Sequence, residues 1–260
     1  YLEKEEGFEV TYLNVDKYGM IDLNELESAI KPSTILITIM YANNEIGTVQ
    51  PVKEIAEIAR RHNVLVHTDA CQAAGFLDIN VNNLGVDMMS LNGSKIYAPK
   101  GIGILYAKTG TPIKPIIHGG GQENGLRSGT ENVPGIVGFV KALEIAQQEK
   151  EMESKRLAKL RDYLIKGLQK GIPKTILNGH PIKRMPNNVN VSVLDIEGEA
   201  LLLYLNEAGI YAATGSACAS KSLEPSHVIL AVGLPYEAAH GSIRFTLGRK
   251  TKLKDIKKVL

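Results

Sequence analysis

The run Thr34-Ile35-Leu36-Ile37-Thr38-Ile39-Met40-Tyr41 decides the fold class. It is dense in β-branched residues, holds no Gly or Pro, and is apolar on both alternating faces. That pattern predicts a strand buried on both sides, as in a parallel sheet covered by helices. Downstream, Pro51 opens a helix at a position where its missing N–H costs little. Val52, Ile55, Ala56 and Ala59 follow at i, i+3, i+4 and i+7, one apolar stripe. Val64 to Asp69 is the next strand, with Val86 to Leu91 and Ile102 to Ala107 after it. Strand–helix–strand alternation predicts an α/β protein with a mostly parallel sheet. The close succession after Asp69 adds some antiparallel pairing. Upstream, Phe8 to Val15 alternates like a strand and Leu23 to Ile30 reads as a short helix.

Beyond the sheet, Gly119 to Gly129 is a glycine-rich loop. A helical region follows, with Ile136, Phe139, Val140 and Leu143 on one face, and Leu157, Leu160, Leu164 and Leu168 continue the spacing. The charged stretch Gln147 to Arg156 between them is the candidate hinge. It divides the chain into a larger unit, residues 1–149, and a smaller α/β unit, residues 150–260. In the latter, Val189, Val191 and Val193 form a strand, Glu199 to Ala208 a helix stopped by Gly209, and Ser242 to Leu247 a strand. Lys250 to Lys258 reads as an amphipathic helix.

The 260 residues are 44% hydrophobic and 22% charged, with net charge +2 and no concentrated basic face. A nucleic-acid binder is not expected. The 2 cysteines form no CxxC pair, which argues against a disulfide framework or structural zinc and for a reducing compartment. No apolar run reaches the roughly 20 residues that span a bilayer. The first residue is Tyr1, which suggests a fragment whose natural start lies upstream.

Several positions carry chemistry. Lys95, in Asn92-Gly93-Ser94-Lys95, directly follows a strand. Ligands of open α/β sheets sit outside such strand ends, although a turn lysine at the surface fits the same residues. Asp69 ends a strand that opens on the apolar run Val64-Leu65-Val66, where a carboxylate either caps a helix or meets a cation such as a protonated ring nitrogen. Gln72 could bond a ring oxygen, and His67 shares the face of Asp69. Asn43-Asn44-Glu45-Ile46-Gly47 is a turn by composition, and one of its amides could also reach a ligand. Gly119-Gly120-Gly121 through Thr130 precedes a helix, offering an anion site or, more plainly, a loop with Thr130 as N-cap. Arg244, charged among apolar neighbours, is either an edge-strand residue or a clamp for a carboxylate. Cys218 sits in the small, polar run Thr214 to Ser222 and reads as a reactive thiol. Cys71 reads as structural.

Together these stretches resemble the cysteine desulfurases, pyridoxal-5′-phosphate (PLP) enzymes of fold type I in the class-V aminotransferase family. The resemblance rests on NNEIGTVQP from Asn43, HTDACQ from His67, KIYAPKGIG from Lys95 and GGGQENGLRSGTENVPGIVG from Gly119. It continues with GSACAS from Gly215, LEPSHVI from Leu223 and SIRFTLGR from Ser242. The ordered set is far more specific than any one motif, and the long Cys loop is similar to the iron–sulfur-cluster subgroup.

The resemblance implies a three-layer α/β/α domain plus a small C-terminal α/β domain. It implies Lys95 as the Schiff-base lysine, Asp69 at the pyridinium nitrogen, and Gln72 and Asn44 at the ring oxygen. Asn92 and Ser94 become cofactor neighbours, standing where the family commonly has Ser and His. Thr130 would reach the phosphate of a neighbouring subunit, making the active unit a homodimer. Arg244, with Asn44, would bind the substrate, and Cys218 would take the sulfur. The family's phosphate-binding Gly/Thr turn and ring-stacking histidine would precede Tyr1, and the C-terminus would be clipped after Leu260.

The implied reaction converts L-cysteine to L-alanine and leaves sulfur as a persulfide for iron–sulfur cluster assembly and thio-modification. Its implied partners are an iron–sulfur scaffold and other sulfur-acceptor proteins, with no nucleic acid and no membrane. The cytoplasm is the expected location. No resident metal is expected, although Cys218 could ligate a cluster transiently. The rival readings are a selenocysteine lyase or aminotransferase of the same fold, or an inactive fragment serving as an interaction module.

Overall fold

The computed structural model describes residues 1–215 and 225–260. Its helices and strands follow in order as α1 (Leu2–Glu5), α2 (Leu23–Ala29), β1 (Leu36–Met40), α3 (Val52–Arg61), β2 (Leu65–Asp69), α4 (Val81–Leu84), β3 (Met88–Asn92) and β4 (Gly103–Ala107). Then come α5 (Val133–Gly171), β5 (Thr175–Leu177), β6 (Asn188–Val193), α6 (Gly198–Glu207), α7 (His227–Ala231), α8 (Tyr236–His240), β7 (Ser242–Thr246) and α9 (Leu253–Val259).

One sheet has the order β1-β2-β3-β4, parallel through β3 and antiparallel at β4. The α/β class and the mixed pairing agree with the sequence reading. A second, antiparallel sheet has the order β5-β6-β7. The stripe expected for α3 is its packed face: Val52, Ile55, Ala56 and Ala59 are all buried, and Ile58 joins them. They pack with Val66, Met89, Leu91 and Phe139 in one core. Leu157, Leu164, Leu168, Val189, Val191, Ile243 and Ile256 form another.

Two expectations are corrected. Phe8 to Val15 is not a strand; it makes one isolated bridge, Val15 to Ile21. Alternation predicts a strand only where a partner edge is available, and Phe8 and Val10 remain exposed. β1 is not buried on both faces, because it lies at the edge of the described sheet, with Leu36 40% exposed. Gln147 to Arg156, the candidate hinge, lies inside α5, which runs for 39 residues. The stretch holds only residues tolerated inside helices. Glu153 pairs with Arg156 at i,i+3 and Glu151 with Lys155 at i,i+4. Gln147 Nε2 also donates to the Ala74 carbonyl at 2.7 Å, and Ser154 Oγ to that of Phe76 at 3.3 Å.

The polar face of β6 is buried as thoroughly as its valine face. Asn178 Nδ2 donates to Asn190 Oδ1 at 2.7 Å and to Ser192 Oγ at 2.9 Å. Asn188 and Asn190 turn their own amides onto the Glu45 carbonyl, at 2.9 and 3.1 Å. Burial without such partners would cost several kcal/mol for each group, roughly 2–7 depending on the reference state. The turn from Asn43 to Gly47 is thus joined to the second sheet. Arg184 adds to the joint, donating to the carbonyls of Ile46 and Asn178, each at 3.2 Å.

Candidate active site

Because β1, β2 and β3 run parallel, their carboxyl ends share one edge of the sheet. Asn44 follows β1, Asp69 ends β2, and Lys95 follows β3 on a single 3₁₀ turn, Gly93–Ile96. In register, Met40 pairs with Asp69 and Asp69 with Ser90. The edge where such sheets bind ligands therefore gathers an amide, a carboxylate and an amine from three adjacent strands.

The two-residue period of β2 puts His67 and Asp69 on one face, half-buried, while Val66 and Thr68 are buried on the other. Both ring nitrogens of His67 have hydroxyl neighbours: Nδ1 lies 2.8 Å from Thr38 Oγ1 and Nε2 2.9 Å from Ser90 Oγ. Burial holds its pKa below the ordinary histidine value, with the Asp69 charge pulling the other way. Both ring nitrogens of His67 are thus partnered, and burial favours its neutral form. The Asp69 carboxylate accepts the Cys71 amide at 2.9 Å. Burial, and then the hydrogen bond and charge of Asp69, push the Cys71 thiol up to about 12, against an opposing pull from Lys95. Cys71 thus stays protonated, and its titration senses Asp69 and Lys95 together.

Lys95 is exposed and lines a small recess with Phe76, Tyr97, Glu149 and Arg249. Asn92 caps the turn beneath it, its Oδ1 accepting the Ser94 amide at 2.9 Å and the Ser94 hydroxyl at 2.8 Å. These two side chains satisfy each other. Asn43 Oδ1 accepts the amides of Glu45 and Ile46 at 2.9 and 3.0 Å, so the turn reading of Asn43 to Gly47 holds. Arg244 reaches this turn, Nη1 donating to the Asn44 carbonyl at 2.8 Å. Two residues separated by 200 positions in the chain thereby meet at one corner.

Thr130 is exposed and is not the N-cap of α5. Asn132 is, accepting the Gly135 amide at 3.1 Å, because Pro134 fixes the start of the helix. Cys218 falls outside the described residues. Sequence reasoning missed Glu45, 2% exposed. A charged residue in an Asn/Gly turn reads as solvated, and only its contacts with distant segments reveal otherwise.

The profile of the aminotransferase class-V family matches residues 1–259. This chain belongs to that family. The cysteine desulfurase IscS of Methanosarcina thermophila is 58% identical over 255 residues, 98% of this chain and 63% of that protein. A solved NifS-like protein, 40% identical, superposes with a TM-score of 0.89 over 97% of this chain and 66% of the other. SspA, solved in complex with cysteine, is 36% identical with a TM-score of 0.76, covering 93% of this chain and 67% of its own. The chain spans 63%, 65% and 66% of the length of three curated relatives it matches. Enzymes of this family depend on PLP. The donor set suits that group: Lys95 would offer an amine to its aldehyde, Asp69 a carboxylate to its ring nitrogen, and Asn44 and Gln72 would offer amides to its ring oxygen.

Proposed function

We propose that the protein is a PLP-dependent cysteine desulfurase, taking L-cysteine to L-alanine and passing sulfur onward for iron–sulfur cluster assembly and thio-modification. What supports this reading is that Asn44, Asp69 and Lys95 all lie at the carboxyl ends of the adjacent strands β1, β2 and β3, with Arg244 bonded to the Asn44 carbonyl. When bound, PLP supplies the electron sink that makes the substrate's Cα proton and Cβ–S bond labile. Lys95 holds the cofactor and then moves the proton at Cα. Asp69 keeps the ring nitrogen protonated, which strengthens the sink. Gln72 and Asn44 orient the ring, Asn92 and Ser94 shape the turn that carries Lys95, and Arg244 binds the substrate carboxylate. The Cys218 thiolate attacks the substrate sulfur. The Cβ–S bond breaks, an S–S bond forms, and the protons of two thiols end on the alanine methyl and the persulfide. No outside oxidant is needed.

The assembly we propose is a homodimer, with Thr130 reaching the partner's cofactor phosphate; its exposure ahead of α5 supports this. Residues 1–149 and 150–260 act as two units, a division supported by the two cores. No helix among the described residues is long and apolar enough to cross a membrane, and we assign the protein to the cytoplasm. Alanine and sulfide are the products to measure from L-cysteine, with PLP and a reductant, using the full-length protein. One alanine per sulfide supports the reading. Alanine only with a keto-acid acceptor, and no sulfide, would replace it with a transaminase.

A further inference from the structure

Both described ends of the Cys218 segment return to the dipeptide Asn44-Glu45. On the incoming side, Ala213 pairs with Arg244 through two backbone bonds, at 3.0 and 2.7 Å. Arg244 then donates from its guanidinium to the Asn44 carbonyl at 2.8 Å. On the outgoing side, Ser226 Oγ donates to the Glu45 carboxylate at 2.5 Å. Gly215 closes the pair: a Cβ built on it would stand 3.4 Å from Ser226 Cβ and 3.6 Å from Glu45 Oε2. Glu45 is 2% exposed, and its own carbonyl is fixed by two asparagine amides of β6. Desolvation offsets much of what the hydrogen bonds of such a buried carboxylate contribute to stability.

We infer that Glu45 is a positioning residue for sulfur transfer: its carboxylate, through Ser226, fastens the roots of the Cys218 segment to the turn that also carries Asn44. This rests on the desulfurase reading. Cys218 is the third residue after Gly215, a reach of roughly 11 Å between Cα atoms. Where the roots stand therefore bounds where the thiol can act. Steps at the cofactor draw on Lys95, Asp69 and Arg244 and do not use Ser226. The hydroxyl of Ser226 should matter only when sulfur moves.

The test compares Ser226→Ala, Ser226→Thr and Glu45→Gln in the full-length protein loaded with PLP. Two rates are read in a single turnover: the absorbance change of the cofactor on adding L-cysteine, and the appearance of extra sulfur on Cys218 by mass spectrometry. Ser226→Ala should leave the first within about twofold and slow the second tenfold or more. Glu45→Gln, which keeps the Ser226 cap of α7 but turns a charge-assisted bond into a neutral one, should slow it by a smaller factor, about threefold. Ser226→Thr, which keeps the hydroxyl, should restore the parent rate. Sulfur arriving at the parent rate in both Ser226→Ala and Glu45→Gln would overturn the inference, as would an equal fall in the two rates. If the parent itself places no sulfur on Cys218, the desulfurase reading fails instead. Amide exchange then decides the clamp alone: Ala213, on the opposite root, should exchange faster in both variants, and unchanged protection there would sink it.

Discussion

Lys95 and Lys100 lie in one short stretch and both are exposed, so position alone does not choose between them. The choice comes from strand geometry. Lys95 stands on the turn that leaves β3 beside Asp69, whereas Lys100 lies past Pro99. Borohydride reduction of the PLP-loaded protein followed by peptide mapping should label Lys95, and Lys95→Ala should lose the label. Label on Lys100 would refute the assignment. The second cysteine gives a pH test. Raising the Cys71 pKa from 9.0 to about 12 favours the neutral thiol, so only alkaline solution supplies its thiolate. At pH 8 it should hold about a thousandfold less thiolate than an unperturbed thiol and resist iodoacetamide accordingly. Its rate should climb steadily toward pH 12, and labelling at the rate of a free thiol at pH 8 would contradict the geometry. The places of Asp69 and Lys95 at strand ends were legible in the sequence, because the strands before them announce themselves locally. Glu45 was not, since its burial depends on Ser226, 181 positions away.

Among the elements, periodicity revealed those that make their own case locally. The stripe of α3 and the β-branched run of β1 needed no knowledge of neighbours to be read as a helix and a strand. Phe8 to Val15 failed because a strand requires a partner edge, and the buried polar face of β6 was invisible because its partners come from the Asn43–Gly47 turn. That joint is sensitive at one position. Gly47 has φ +77°, and a Cβ there would lie 2.7 Å from Asn188 Oδ1 and 2.9 Å from Asn188 Cβ. The conformation is one that only glycine adopts freely, and the clash falls on a side chain held by two other groups. Gly47→Ala should lower the unfolding free energy in urea by about 2–4 kcal/mol. Adding Asn188→Ala should return part of the loss, because the two changes share one contact. Strict additivity would show that strain in φ alone is responsible.

At the scale of the molecule, one helix spans both cores while the polar joint at Asn43 to Gly47 ties them a second time. α5 contributes Phe139 and Ala146 to the first core and Leu157, Leu164 and Leu168 to the second. Arg184 sits in the joint with its pKa drawn down to about 10, by burial first and then by the charge of Arg161. The chemistry we propose divides along the same line. Asn44, Asp69, Gln72 and Lys95 come from the first part of the chain, and Arg244 and Cys218 from the second. Cys218→Ser in the full-length protein should separate the two halves of the reaction. The cofactor should bind, and its absorbance should still respond to L-cysteine, because those steps use the amine, the carboxylate and the guanidinium. Removing sulfur needs a soft nucleophile, and a serine hydroxyl has far too high a pKa to replace a thiolate. Alanine formation should therefore collapse while the cofactor stays in place. Cys71→Ser serves as the control and should keep substantial activity, since burial and Asp69 hold the Cys71 thiol protonated. After a pulse of L-cysteine, mass spectrometry should find the additional sulfur on Cys218. Sulfur on Cys71, or alanine made by Cys218→Ser at the parent rate, would leave the thiol of the Gly215–Ser220 run without the role proposed for it.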